Sequence, residues 1–406
     1  MSIGSVLEML VKVFASVALL WSGLSLAYQY VLAVAGRKPL PERSRASNFL
    51  KLAVLIPAHD EATVIASTVN AVRQSDYPSD RYDTFVIADN CSDATAEEAR
   101  AAGAKCLERA EEPRGRKAYP LKWAIDQVLA PGHRYDGVVV IDADSQLDVA
   151  FLSRMSDALS SGHAVLQGRH LLSNVGASLF TLVADADMRI NNLLRNHAKQ
   201  RLGLSARLMG DAMCFSREVL ETFGWPVDSL GEDREFGVYL VSRGYRVHYV
   251  PEAVSRGQAP LRWRDASAQR LRWQAGARQV QRRQLGGLLR AAFNQRSVPA
   301  LDLAAELLLP SYTVAAATAA GALVVLAFIR DPSAGALGWA ALVQLSLAAA
   351  FPFLALALAQ APRSSFMGAL MGPAFLAWRL AHKIRAAISP DSVKWVRTVR
   401  SEEIRS

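Results

Sequence analysis

Hydrophobic and polar positions divide the chain into apolar ends and an alternating middle. Residues Val13 to Ala35 are almost uninterrupted apolar, with Trp21, Tyr28 and Tyr30 among them. That length spans a bilayer as a helix. Ala33-Val34-Ala35 has the small-residue pattern of a signal-peptidase site, but the apolar core exceeds a signal-peptide h-region. The reading is an uncleaved anchor. Two further spans are predicted, about Leu303 to Ile329 and Leu337 to Ala359, joined as a hairpin through Arg330-Asp331-Pro332-Ser333. Phe366 to Trp378 is apolar, short and contains Pro373. Arg379, His382, Lys383 and Arg385 follow it at one-face spacing, so Phe366 to Ile388 is expected to be an interfacial or re-entrant helix.

Between these ends, short apolar runs alternate with amphipathic stretches. Leu52 to Pro57, Thr84 to Asp89 and Gly137 to Asp142 each predict a buried strand. Glu61 to Gln74, Ala94 to Ala104 and Ala118 to Leu129 carry helical spacing. Helices between short apolar strands indicate parallel βαβ units, hence an α/β fold with a mostly parallel, Rossmann-like sheet. Ligands of open α/β sheets bind at the carboxyl ends of the strands. The expected organisation is an anchor and basic linker over 1–49, an α/β domain over 50–260, and a basic helical segment over 261–300. A transmembrane hairpin over 301–360 and an interfacial helix with a basic tail over 361–406 complete it.

Charge adds orientation. The chain has 406 residues, a net charge of +9 and a pI near 9.6. A basic balance fits nucleic acid, an anionic membrane surface or phosphate-bearing substrates, and the hydropathy map favours the membrane. Arg37, Lys38, Arg43 and Arg45 follow the first apolar stretch directly. The positive-inside rule puts the middle domain in the cytoplasm, on a multi-pass protein of the cytoplasmic membrane. A spanning reading of Phe366 to Ile388 would place the basic tail, including Lys394 to Arg400, outside, against that rule. Cys91, Cys106 and Cys214 cannot form a disulfide framework, which fits a reducing compartment. The sequence carries no signal for oligomeric state.

All three apolar strands end in carboxylates. Pro57 leads to His59, Asp60 and Glu61; Ala88 leads to Asp89 and Asp93; Ile141 leads to Asp142 and Asp144. Asp60 and Asp93 also fit helix caps. Three such endings on one sheet edge repel one another unless a cation sits among them. Asp142 and Asp144, two apart, would point the same way in an extended segment. Hard carboxylate oxygens suit Mg²⁺ or Mn²⁺, whose remaining ligands are typically water and substrate phosphates. No zinc spacing, Walker motif or GxGxxG is present. Gln269, Arg272 and Trp273 share one helical face, offering phosphate donors and a flat platform for a sugar ring. The surrounding basic stretch, Arg262 to Gln284, equally fits an amphipathic helix on a membrane. Cys91 and Cys214 fit packed small residues, and His59 and His248 fit structural histidines. Asp185 and Asp187 lie in a predicted helix, facing solvent or lining an acceptor cleft.

From residue 50 to about 280 the chain resembles the membrane-anchored family 2 glycosyltransferases, the group of cellulose, hyaluronan, chitin-oligosaccharide and poly-N-acetylglucosamine synthases. The resemblance rests on "IPAHDE" (Ile56 to Glu61), "ADNCSDAT" (Ala88 to Thr95), "KAYPLKWA" (Lys117 to Ala124) and "DADS" (Asp142 to Ser145). It continues through "GDAMCFSRE" (Gly210 to Glu218), "GEDREFG" (Gly231 to Gly237) and "QRLRW" (Gln269 to Trp273), in that order. It implies a GT-A fold and an inverting, metal-dependent transfer from a UDP-sugar to a polysaccharide or lipid-linked acceptor, in exopolysaccharide or glycolipid synthesis. It further implies that Asp144 holds Mg²⁺ or Mn²⁺, and that Asp89 and Asp142, with Pro57, His59 and Glu61, hold uracil and ribose. Lys117 would add fixed positive charge, and Gln269 and Arg272 would clamp the diphosphate. Asp233 would be the general base, with Glu232 beside it. Trp273, Gly210 and Asp211 would face the acceptor.

The chain departs from the family pattern at Arg116, often Gly; at Gly231, often Thr or Ser; and at Asp211, often small and neutral. Two rival readings stay open. A haloacid-dehalogenase-type phosphatase also places two aspartates at a strand end, although Gln146 stands where that family carries Thr. A non-catalytic membrane subunit could retain the fold.

Overall fold

The computed structural model of the protein describes residues 3–40, 49–132 and 134–388. The basic positions Arg43 and Arg45 and the tail Lys394 to Arg400 lie outside the described residues. The chain opens with helix α1 (Ile3–Ala35) and enters the α/β domain at β1 (Leu52–Ala58). Then come α2 (Ala62–Arg73), β2 (Tyr82–Asp89), α3 (Thr95–Ala101), β3 (Lys105–Arg109), α4 (Ala118–Val128) and β4 (Gly137–Val140). The second half contains β5 (Gln146–Leu147), α5 (Phe151–Ser160), β6 (Val165–Leu172), α6 (Leu179–Arg189), α7 (His197–Arg201), β7 (Met213–Ser216), α8 (Arg217–Phe223), α9 (Glu232–Val241) and β8 (His248–Gly257).

The eight strands of the described residues form one sheet, in the order β3-β2-β1-β4-β7-β6-β8-β5. The first four are parallel, as the alternating pattern predicts. The rest is mixed: β7 runs antiparallel to both β4 and β6, β6 runs parallel to β8, and β5 is antiparallel to β8. The sheet is therefore mostly but not purely parallel, with four parallel and three antiparallel pairings. The sequence pattern showed three strands because only those are long continuous apolar runs.

Strand periodicity explains the burial. Ala53, Leu55, Phe85, Ile87, Val138 and Val140 face α4, through Leu121, Ala124 and Ile125. The alternate residues Leu52, Val54, Ile56, Val86 and Val139 face α2 and α5, through Ile65, Val69, Phe151 and Met155. With both faces covered, both sets are apolar, and β1, β2 and β4 look continuously hydrophobic. The carboxyl ends of these strands are left open.

A long helix α10 (Trp263–Asn294) leads to the apolar C-terminal part: α11 (Val298–Leu308), α12 (Tyr312–Leu326), α13 (Pro332–Leu358), α14 (Arg363–Leu370) and α15 (Gly372–Ile388). Among the described residues two helices, α1 and α13, are long and apolar enough to cross a membrane; a third span exists if α11 and α12 count as one. The predicted single span from Leu303 to Ile329 is instead broken, with α11 and α12 bent by 45°. Polar side chains of α1 service the break. Gln29 accepts from the Tyr312 amide at 3.2 Å, and Ser25 donates to the Pro310 carbonyl. A broken helix needs such partners because its freed backbone groups cannot stay unsatisfied in an apolar setting. Small residues let these helices approach: Ala15, Ala319 and Ala341 are buried together, as are Ala315, Ala348 and Ala355.

The predicted interfacial helix also divides, into α14 and α15, and both pack on the α/β domain. Two of the four residues of its basic face turn inward, while Arg385 stays exposed. Arg379 turns inward to Asp187, and Lys383 donates to Ser311 Oγ at 2.7 Å. Buried partners outcompete water for these cations. Trp378 Nε1 donates to Ser267 Oγ at 3.0 Å, tying α15 to α10.

Candidate active site

One cavity of about 1410 Å³ opens at the carboxyl ends of β1, β2 and β4. Its wall carries Pro57, His59, Glu61, Asp89, Lys117, Asp142, Asp144, Gly210, Glu232, Asp233, Gln269, Arg272 and Trp273. The sequence-derived candidates thus converge on one space from seven separate segments. Asp211 is the exception.

At the strand ends, His59 and Asp89 are fixed by local bonds. The His59 Nδ1 lies 2.7 Å from the Asp89 carbonyl oxygen. The buried Asp89 carboxylate accepts from Arg109 Nη1 at 2.6 Å and Asn90 Nδ2 at 2.8 Å. Arg109 was missed in the sequence, where only the short alternating run Lys105 to Arg109 hints at a strand delivering it. Asp93 accepts the amides of Thr95 at 3.0 Å and Ala62 at 3.1 Å, the first residues of α3 and α2. It therefore acts as a cap. Asp60 accepts the Ser92 amide at 2.7 Å.

The two acids after β4 sit in a turn, closed by the Ser145 amide on the Asp142 carbonyl at 3.1 Å, not in an extended segment. They consequently meet different partners. Asp142 pairs with Lys117, which also donates to the Gly210 carbonyl at 2.5 Å. Asp144 Oδ2 accepts the Gln258 amide at 2.9 Å. Burial alone would lower the Lys117 ammonium, but Asp142 and Glu232 hold it above its ordinary value. Asp144 is buried at the cavity wall, and its hard carboxylate oxygens are of the kind that suits Mg²⁺ or Mn²⁺.

Asp211 does not line the cavity, which corrects its assignment to the acceptor side. Its oxygens are taken by the Asp142 amide at 2.9 Å, Ser145 Oγ at 2.7 Å, Ser255 Oγ at 2.6 Å and His170 Nδ1 at 2.6 Å. Burial alone would raise its carboxyl, but His170 and these hydrogen bonds hold it well below the usual range. Asp211 is the anchor that aims the Asp142–Ser145 turn. A sequence motif shows the acid but not the four donors, which come from β6, β8 and the turn itself.

Helix α9 begins at the acid pair. Burial, then repulsion from Asp233, pushes Glu232 up to about 7. Burial likewise raises Asp233, against the pull of the Arg234 amide and Lys117. Raised carboxyls can accept protons near neutral pH. A Cβ on Gly210 would lie 3.4 Å from Asp233 Oδ2, and Gly210 has a φ of +83°. The bare backbone there leaves room for the Asp233 carboxylate. On α10, the Arg272 charge acts on Glu232 from across the cavity.

Asp187 does not face solvent. It takes Arg379 Nη2 at 2.6 Å and Arg270 Nη2 at 3.0 Å, joining α6, α15 and α10 at the cavity wall. Asp185 is buried against Arg189 and Ser365.

Comparison with known proteins gives the lineage. Residues 50–276, more than half of the chain, match the model of the family described as "Glycosyltransferase like family 2". The chain is 26% identical over 285 residues to the "Probable glycosyltransferase YdaM" of Bacillus subtilis, covering 66% of each chain. It is 24% identical over 264 residues to the "Cellulose synthase 1 catalytic subunit [UDP-forming]" of Komagataeibacter xylinus, covering 63% of this chain and 35% of that one. It is 24% identical over 206 residues to the "Beta-monoglucosyldiacylglycerol synthase" of Synechocystis, covering 48% and 41%. The matched regions thus span between about a third and two thirds of these relatives' lengths. Among solved structures, the mannosyltransferase PcManGT from Pyrobaculum calidifontis, in complex with GDP-Man and Mn²⁺, superposes with a TM-score of 0.60 at 18% identity. That match covers 94% of this chain and 97% of that one, and shows a shared fold. By the family match over its α/β domain, the chain belongs to the family 2 glycosyltransferases.

Proposed function

We propose that the protein is an inverting, metal-dependent glycosyltransferase that moves a sugar from a UDP-sugar to a lipid-linked acceptor at the cytoplasmic face of a membrane. The single observation that carries this reading is the continuity of the cavity. It runs from the carboxylates at the strand ends to Leu32 and Ala33 of α1, the α11–α12 break and Phe351 of α13. A polar, charge-rich end and an apolar end in one space suit an acceptor with a sugar or hydroxyl head and a lipid tail. The family membership and the relatives named for glycolipid and polysaccharide synthesis support the same class.

In this reading the strand-end residues Pro57, His59, Glu61, Asp89 and Asp142 hold the nucleoside. A Mg²⁺ or Mn²⁺ ion at Asp144 would neutralise charge on the leaving diphosphate. Lys117 supplies fixed positive charge beside Asp142, and Gln269 and Arg272 line the diphosphate path on α10. Asp233 takes the proton from the acceptor hydroxyl. That oxygen attacks the anomeric carbon from the face opposite the departing nucleoside diphosphate, and the configuration inverts. Trp273 presents a half-exposed ring to the sugar. The aspartyl-phosphate route of a dehalogenase-type phosphatase has no support, because the family match covers the whole α/β domain.

The test uses membranes carrying the full chain, incubated with radiolabelled UDP-sugars and, as a second arm, GDP-sugars, with Mg²⁺ or Mn²⁺. Label from a UDP-sugar should enter lipid-extractable product. Label in polymer alone would overturn the acceptor class, and transfer only from GDP-sugars would overturn the donor.

A further inference from the structure

Between Asp233 and the apolar helices lies a cluster of cations that the transfer described above does not use. Helices α6 and α7 are joined without interruption by a π-helical segment, Ile190–Asn196. Such widened turns change which side chains face inward. Here Arg195 of the segment lines the cavity. Among the described residues Arg195 makes no hydrogen bond and no ion pair. Around it stand Lys199 of α7, Arg207 and Arg234 of α9. The acids facing these four cations are Asp302 and Glu306 of α11 and, from the start of α9, Asp233. Lys199 pairs with both α11 acids, at 2.9 Å to Asp302, and Tyr28 of α1 also donates to Asp302 at 2.7 Å. Glu306 must also serve Arg207, and Arg234 at 3.8 Å. Four positive charges thus share three carboxylates, and Arg195, paired with none of them, lines the cavity together with Arg207 and Arg234.

An excess of buried positive charge is costly unless an anion completes it. Burial and mutual repulsion hold the Arg207 guanidinium far below its ordinary value, with Arg234 and Arg195 adding to the effect. The position separates this cluster from the donor end. Arg234 follows Asp233 on α9, and the Asp233 charge acts on both Arg234 and Arg207. Arg195 feels Tyr28, Asp302 and Tyr312, on α1, α11 and α12. The cations therefore stand beyond the base, toward the apolar wall, while the nucleoside end is at Asp89, Asp142 and Asp144. Arginine forks match the oxygens of a phosphate in a planar, bidentate fashion.

We propose that Arg195, with Arg207 and Arg234, forms an acceptor subsite for a phosphate oxyanion, so that the hydroxyl delivered to Asp233 belongs to a phosphate-bearing acceptor. This rests on the glycosyltransferase reading and specifies its acceptor. The phosphate sits at the cations, the hydroxyl reaches Asp233, and any lipid chain runs along Leu32, Ala33 and Phe351. The same chemistry is offered by a lipid phosphate headgroup and by a small soluble phosphate ester.

The test is binding to the full chain in detergent, read without turnover. The probes are dioctanoyl phosphatidic acid, its neutral counterpart dioctanoylglycerol, sn-glycerol 3-phosphate, and UDP with Mg²⁺. Phosphatidic acid should bind more tightly than dioctanoylglycerol. Arg195→Gln should weaken it about tenfold or more, the scale of one lost charge-assisted hydrogen bond, and Arg234→Gln should do the same. UDP affinity should be unchanged in Arg195→Gln, which also reports that the variant is folded. Binding of phosphatidic acid but not glycerol 3-phosphate identifies a lipid headgroup; equal binding of both identifies a soluble ester. Equal affinity for the charged and neutral lipids, or no effect of both substitutions, overturns the subsite. A parallel loss of UDP affinity overturns it too, by assigning the cations to the donor. Failure of the wild-type chain to bind UDP with either Mg²⁺ or Mn²⁺ would instead sink the donor reading and leave the phosphate result standing.

Discussion

Gly276 of α10 lies directly against Gly231, the residue that precedes the Glu232–Asp233 pair. A Cβ on Gly276 would stand 2.7 Å from the Gly231 nitrogen and 2.9 Å from the Leu230 carbonyl carbon. This approach sets the face carrying Gln269, Arg272 and Trp273 against the start of α9. The relationship is not symmetric. A Cβ on Gly231 would have its nearest neighbours at 3.5 Å, ordinary contact. The absence of Thr or Ser at 231 is therefore a tolerated departure, whereas Gly276 has no room for any side chain.

Gly276→Ala should accordingly push α10 away from α9, at about 1–3 kcal/mol of stability, the usual range for overpacking. Turnover should fall more than UDP affinity, because the acid pair and the α10 face move apart. Gly231→Ala should retain turnover within a few-fold. Thermal unfolding and steady-state kinetics on the two variants check this; equal effects would contradict the asymmetry.

Asp233→Asn should lower turnover by about 10²–10⁴-fold, the range for a general base, with UDP affinity retained. The measurement is UDP release alongside direct UDP binding. Turnover within tenfold of wild type would remove Asp233 from the role of base.

Glu232 gives a pH dependence. Its folded value lies near 7, above an ordinary 4.5. A raised value means the folded state holds the proton more tightly. That contribution is complete below about 4.5 and is lost as pH rises to about 7. Relative to Glu232→Gln, the wild-type melting temperature in metal-free buffer should fall across that window. The size should be on the order of 2–3 kcal/mol. Parallel profiles for the two proteins would contradict the assignment.

Asp187→Asn should loosen the α6–α10–α15 junction. Burial alone would raise the Asp187 carboxyl, but Arg379 and Arg270 hold it below its ordinary value. The tie is therefore present above the ordinary carboxylate range and lost only on acidification below it. Breaking one partner of such a pair costs about 3–5 kcal/mol when fully buried, less here, since the Asp187 and Arg270 side chains keep about a fifth of their exposure. Hydrogen exchange along α15 should accelerate in the variant at neutral pH. Unchanged exchange would show that α15 is held by its aromatic contacts alone.

The sequence by itself determined the parts that depend on local periodicity and residue chemistry. Continuous apolar runs marked β1, β2 and β4 because strands covered on both faces need no polar alternation. The same runs placed Asp89, Asp142 and Asp144 at one edge, and the ordered motifs gave the family later matched over residues 50–276. Tertiary structure decided what depends on partners distant in the chain. Strands β5 and β7 are two and four residues long and are defined by neighbours, not by their own pattern. Asp211 became an anchor because His170 and Ser255 reach it from β6 and β8. Asp142 and Asp144 diverged because a turn, not a strand, carries them. Arg379 and Lys383 turn inward because Asp187 and Ser311 meet them there. A charged side chain is legible in a sequence, but its counter-charge is not. The free energy of a buried charge is set by the group it meets, and only the folded chain brings the two together.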